Sequence, residues 1–295
     1  MKNKLLPLLL SFSLFLSFFF LPGIAQASNQ TPRERLLQQI EILKYEISLL
    51  RTLLLNMRSQ KEISADAYLA VNLSDGSVLL EKNPDQAYPI ASITKLMSAV
   101  IAIENIDPEK EITLTGEMLR PYGHSPAIFL GSVLSSGSLL RASLIQSVND
   151  ASESLAYFLG RERFVSLMNQ KAKELGMDDT VFFDPHGLNP ANKSTARDIA
   201  DFLGYIRESY PEILDITKDN DFWLPDSSGK LLKFRNMNSF YPLPYFLGGK
   251  TGYLPQAKQT MASVFDVDGD PVIIVLLSSE NRQADIFAIL KKIRK

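Results

Sequence analysis

Ser92 is followed three residues later by Lys95, within Ser92-Ile93-Thr94-Lys95. On a helix, positions i and i+3 share a face, so the amine would lie beside the hydroxyl. A serine hydroxyl is a poor nucleophile until a base takes its proton. A lysine can be that base if burial and nearby positive charge lower its pKa. The N-terminus of a helix would also favour negative charge developing at Ser92. Taken alone, the pair reads as a capping serine followed by a surface lysine.

Two further clusters could complete such chemistry. Ser147-Val148-Asn149 lies at a polar break between two helical runs. Ser147 could relay a proton and Asn149 could grip a substrate amide; the plain alternative is a polar helix cap. Lys250-Thr251-Gly252-Tyr253 follows Gly248-Gly249 on an expected strand. Lysine and threonine there suit a carboxylate, and Gly252 lets a substrate backbone approach closely. Strand alternation sends Lys250 and Thr251 to opposite faces unless a twist or bulge intervenes. The spacing of a phosphate-binding G-x-x-x-x-G-K loop is absent.

The elements that must position these residues follow from pattern. The chain has 295 residues, 45% hydrophobic, enough for a sizeable core. Thirty-one basic and 33 acidic side chains leave a net charge of -2, so no basic field exists to hold nucleic acid. No cysteine is present, which removes disulfides, thiolate metal sites and cysteine nucleophiles. Alternation at 65–71 and 77–81 around Ser74-Asp75-Gly76 predicts a hairpin. Strands are expected at 248–253, 260–266 and 271–277, the last two joined by Val267-Asp268-Gly269-Asp270. Helices are expected at 92–103, 139–147, 151–159, 163–175, 195–210 and 283–294. A mixed but mostly helical block thus separates two groups of strands. The simplest assembly is an α/β (α+β) fold: one antiparallel sheet, covered by terminal helices, with the helical block beside it and a groove at the boundary.

The three clusters together occur in the order and separation of the penicillin-binding protein and serine beta-lactamase motifs. From about residue 65 to 289 the chain resembles the low-molecular-weight penicillin-binding proteins, the serine D-alanyl-D-alanine carboxypeptidases. The likeness includes Pro89-Ile90-Ala91 before Ser92, Leu144-Ile145-Gln146 before Ser147, Asp184-Pro185-His186-Gly187-Leu188, Ser194-Thr195-Ala196-Arg197-Asp198 and Asn236-Met237-Asn238. It implies a beta-lactamase/transpeptidase-like fold, with a five-stranded antiparallel sheet, flanking helices and a mainly helical subdomain at about 105–240 of a 62–295 domain. It also implies Ser92 as nucleophile, Lys95 as general base and Ser147 as proton relay. Asn149, Lys250, Thr251, Gly252 and Tyr253 become substrate-binding positions, and the N–H groups of Ser92 and Tyr253 an oxyanion hole. Peptidoglycan stem peptides are the implied substrate and beta-lactams the implied covalent inhibitors. No metal or cofactor is implied. A D,D-endopeptidase cutting cross-links is the alternative within enzymes. A non-catalytic envelope scaffold is the alternative outside them.

His186 and His124 fit structural positions better than chemistry, and Arg197 fits an ion pair. The sequence departs from the family pattern at Leu254 and at Lys258, where threonine and glycine are usual. Residues 1–27 read as a signal peptide or uncleaved anchor: Lys2 and Lys4, an apolar run of about 17 residues, then Ala25-Gln26-Ala27. The chain is therefore expected in the periplasm or on the outer face of the cytoplasmic membrane. Residues 31–60 predict a long helix with a heptad seam through Ile40, Ile47 and Leu54 and through Leu36, Leu43, Leu50 and Met57. Its expected use is a homodimer, an envelope-protein contact, or packing on its own domain.

Overall fold

The computed structural model describes residues 63–123 and 125–294, together with Arg33 and Leu36. The chain divides into two compact units, Met1–Met57 and Arg58–Lys295. In the first, Arg33 and Leu36 are helical and exposed. The signal-peptide reading, the rest of the heptad reading and His124 lie outside the described residues. Among the described residues no helix is long and apolar enough to cross a membrane.

The second unit is built on the strands β1 (Ala67–Asn72), β2 (Val78–Lys82), β3 (Tyr88–Pro89), β4 (Glu111–Thr113), β5 (Val133–Ser135), β6 (Lys193–Ser194), β7 (Phe222–Pro225), β8 (Leu231–Phe234), β9 (Phe246–Leu254), β10 (Lys258–Val267) and β11 (Asp270–Ser279). Its helices are α1 (Thr94–Asn105), α2 (Ser136–Ile145), α3 (Asn149–Leu159), α4 (Arg161–Glu174), α5 (Ala196–Ser209), α6 (Pro211–Lys218) and α7 (Arg282–Ile293). The main sheet has five antiparallel strands in the order β2-β1-β11-β10-β9. The early and late strand groups therefore join as expected, with β11 between β1 and β10.

Alternation explains how this sheet holds two cores. Ile273, Val275 and Leu277 of β11 point to the helical block, with Leu69, Ala262 and Val264. Val272, Ile274 and Leu276 point the other way, against Ile286, Ile289 and Leu290 of α7. A continuous apolar run suits a central strand buried on both faces. Burial of each such side chain stabilises by roughly 1.5–3 kcal/mol before chain entropy is counted. The edge strand β9 is the one carrying Lys250-Thr251-Gly252, so its free edge borders the helical block.

Two local readings change. Ser92 does not begin the α-helix: it sits in a 3-10 turn, Ala91–Ile93, that feeds α1. The central block also contains the hairpins β4–β5 and β7–β8, which are too short for alternation to stand out.

Candidate active site

The turn before α1 is forced by its surroundings. Ala91 has φ 49°, a left-handed conformation that costs a non-glycine residue about 1 kcal/mol or more. Packed beneath it is Gly187, where an added Cβ would collide with the Ala91 carbonyl. Gly187 is held in turn by Asp184, whose carboxylate accepts from the N–H groups of His186 (3.0 Å), Gly187 (2.5 Å) and Asn189 (2.6 Å). This loop aims the His186 carbonyl at Lys95.

Lys95 is fully buried. Its Nζ lies 2.6 Å from the His186 carbonyl, 2.7 Å from Asn149 Oδ1 and 3.0 Å from Ser92 Oγ. The orientation of Asn149 is fixed, because its Nδ2 donates to the Tyr122 carbonyl. Two of the three partners are carbonyl oxygens that can only accept. A neutral amine has two N–H bonds to give them, which leaves its lone pair facing the Ser92 hydroxyl. Burial pushes the Lys95 amine down to about 7, while the Asp184 carboxylate pulls upward. Burial, and not neighbouring positive charge, is the cause here.

The second pair is built from distant elements. Ser147 has φ 61° in the break between α2 and α3, and Asn149 opens α3. Lys250 Nζ reaches Ser147 Oγ at 2.8 Å and also donates to the Thr251 carbonyl at 3.1 Å. Lys250 is held well below the usual range for lysine, first by burial and then by the charges of Lys95 and Arg282. The register keeps strict alternation: Lys250 is opposite Ala262 of the helical-side core, and Thr251 is opposite Met261 of the other core. The irregularity in this ladder lies upstream, near Gly248.

Gly252 closes the groove. A Cβ there would sit 2.8 Å from the Ser92 nitrogen and 2.5 Å from Thr260 Oγ1. Only glycine lets β9 run this close to the turn carrying Ser92. Tyr253, next on the strand, is 64% exposed and forms the rim. Ser92, Lys95 and Asn149 are therefore joined by hydrogen bonds, as is Ser147 to Lys250, and Gly252 lies against Ser92, while Thr251 alternates to the other face of β9.

His186 and Arg197 sit in structural contacts, as expected. His186 is buried, with Nε2 3.3 Å from Glu153, whose other oxygen pairs with Arg161. Arg197 pairs with Asp85 and Glu81. Lys258 has φ 52°, which explains why glycine suits that position; its amine reaches Glu280 at 2.8 Å and Asp66 at 3.5 Å. Sequence reasoning missed Arg282. It is the first residue of α7, donates to the Gly252 carbonyl at 2.8 Å, and has its pKa lowered by burial. The sequence pattern starts the helix one residue later, and nothing local ties Arg282 to β9.

Comparison with known proteins follows this geometry. The sequence model of the family described as D-alanyl-D-alanine carboxypeptidase matches residues 55–281. The chain is 33% identical over 231 residues to the D-alanyl-D-alanine endopeptidase of Escherichia coli (strain K12), covering 75% of this chain and 73% of that protein. It is 33% identical over 233 residues to the D-alanyl-D-alanine endopeptidase of Pseudomonas aeruginosa, with the same coverage of 75% and 73%. Penicillin-binding protein D2 from Listeria monocytogenes, solved in a cefotaxime-bound form, aligns with a TM-score of 0.68 at 27% identity, covering 79% of this chain and 96% of that one.

Proposed function

Since the chain belongs to the D-alanyl-D-alanine carboxypeptidase family, we propose that it is a serine peptidase that removes the terminal D-alanine of peptidoglycan stem peptides through an acyl-enzyme on Ser92. The observation that carries this is Lys95: a buried amine whose pKa burial pushes down to about 7, hydrogen-bonded to the His186 and Asn149 carbonyls and 3.0 Å from Ser92 Oγ. Lys95 takes the hydroxyl proton as Ser92 Oγ attacks the penultimate D-alanyl carbonyl. The N–H groups of Ser92 and Tyr253 stabilise the oxyanion, at roughly 3 kcal/mol per donor in the transition state. The C–N bond then breaks, and the leaving amine takes a proton through Ser147, poised beside Lys250. Asn149 orients the substrate amide, and Thr251 with Lys250 receives the terminal carboxylate, whose negative charge draws the buried Lys250 amine toward its protonated form. Water hydrolyses the acyl-enzyme. Beta-lactams acylate the same serine. This substrate places the protein outside the cytoplasmic membrane, in keeping with the reading of residues 1–27.

A second reading is cleavage of cross-links between stem peptides. It is favoured by the two relatives matched over 73% of their own length, both named D-alanyl-D-alanine endopeptidase. The same residues serve both reactions. Digestion of purified peptidoglycan tests them: free D-alanine is the product of the first activity, and loss of cross-linked dimers the product of the second. Release of neither contradicts both.

A further inference from the structure

The segment 235–237 runs beside the Ser147 loop. The N–H of Arg235 donates to Gln146 Oε1 at 3.0 Å, and the N–H of Met237 donates to the Ile145 carbonyl at 3.0 Å. Between them, the Asn236 side chain turns inward and donates to the carbonyls of Thr217 (2.8 Å) and Asp219 (2.9 Å). Alternation therefore sends Arg235 and Met237 outward together. Both are exposed, Met237 by 58%. The same face continues along β8 to Lys233, which lies opposite Trp223 of β7, with its amine 5.5 Å from the indole. Trp223 is 48% exposed, while its strand neighbours Phe222 and Leu224 are buried. Lys233 is engaged by Asp221 at 2.8 Å. Arg235 forms no ion pair among the described residues.

From this we propose that Met237, Arg235 and Trp223 form a docking strip for the acidic second stem peptide of a cross-linked substrate. The inference rests on the cross-link reading above. Ser147 meets the leaving amine, so the leaving part of the substrate exits past the loop that Arg235 and Met237 flank. A single D-alanine ends there and needs no further surface. In a cross-link, the leaving amine belongs to a whole second peptide carrying free carboxylates. Ser92 Oγ bonds to the D-alanyl carbonyl carbon, the C–N bond breaks, and the second peptide departs as its protonated amine until water frees the acyl group. An extended peptide advances about 3.3–3.6 Å per residue, so about four residues cover the four strand positions between Met237 and the Trp223–Lys233 pair. The guanidinium of Arg235 matches a carboxylate with paired N–H bonds. The thioether and indole beside it cover apolar chain.

Three substrates test this with the full chain: a purified cross-linked muropeptide dimer, a monomeric pentapeptide and a fluorescent penicillin. Arg235→Glu should lower kcat/KM on the dimer about tenfold, mainly through KM. Trp223→Ala should lower it about threefold. Both variants should stay within about twofold of the unmodified chain on pentapeptide and penicillin, which also shows that they fold. Equal cleavage of the dimer by the unmodified chain and Arg235→Glu overturns the strip alone, as does an equal loss on all three substrates. A chain that trims the pentapeptide and leaves the dimer intact overturns the cross-link reading and the strip with it.

Discussion

Two serine–lysine pairs face each other across the groove, and they are made differently. Ser92 and Lys95 are three residues apart and joined through one turn feeding one helix. Ser147 and Lys250 are 103 residues apart, one on a loop between helices and the other on an edge strand. Lys95 is surrounded by acceptors that fix its protons. Lys250 has one carbonyl, one hydroxyl and two basic neighbours, Lys95 and Arg282. The first pair is arranged to take a proton from its serine, and the second to place an amine beside a serine that gives one. Local spacing suffices for the first, while the second exists only once the sheet has closed.

The sharpest way to break this contrast is Lys95→Arg. Arginine stays protonated and cannot accept the Ser92 proton. Acylation by a penicillin should fall by about 10³-fold or more, measured by stopped-flow labelling. A loss below about tenfold would mean that Lys95 is not the base. Next is Gly252→Ala, which leaves both pairs in place and pushes β9 from the Ser92 turn. It should cost about 10²-fold in acylation, the scale of one oxyanion donor, and lower the thermal midpoint by several degrees through overpacking.

A third test concerns stability and pH. Lys95 titrates near 7 in the folded chain, below the 10.5 of a free lysine. Between those values the unfolded chain holds a proton that the folded chain lacks, so stability rises with pH through that window. Comparing the chain with Lys95→Met by urea unfolding at two pH values about two units apart inside the window should reveal about 2–3 kcal/mol of pH-dependent gain that the variant lacks. Equal slopes would place the native amine in its charged form. The smallest effect is expected at Lys258→Gly, which relieves a left-handed backbone and loses exposed ion pairs. Its thermal midpoint should move by no more than about 3 °C.

The same contrast explains what the sequence makes legible. Strands β9, β10 and β11 are long, β11 being nearly all apolar, and their extents fall within two residues of expectation. The spacing of Ser92 and Lys95 shows that they share a helix face, but by itself it reads as a cap and a surface lysine. Ser147 and Lys250 become meaningful only as members of an ordered set of motifs, because no local rule joins a helix break to a strand a hundred residues on. Arg282 stays hidden for the same reason: its contact with Gly252 depends on α7 starting where β9 passes. The β7–β8 hairpin is invisible because four-residue strands with one buried and one open face look like ordinary loop sequence. Its neighbour Met237 sits inside a recognisable motif, yet its outward direction is set by Asn236 turning inward.

The central claim is that a neutral Lys95 activates Ser92. The most direct test labels the protein with a penicillin across pH 5.5 to 9 and locates the adduct by peptide mass mapping. The account predicts a single adduct on Ser92, with an acylation rate that climbs as pH rises through about 7. An adduct on Ser147 or on no serine, or a rate on Ser92 indifferent to pH across that range, would contradict it.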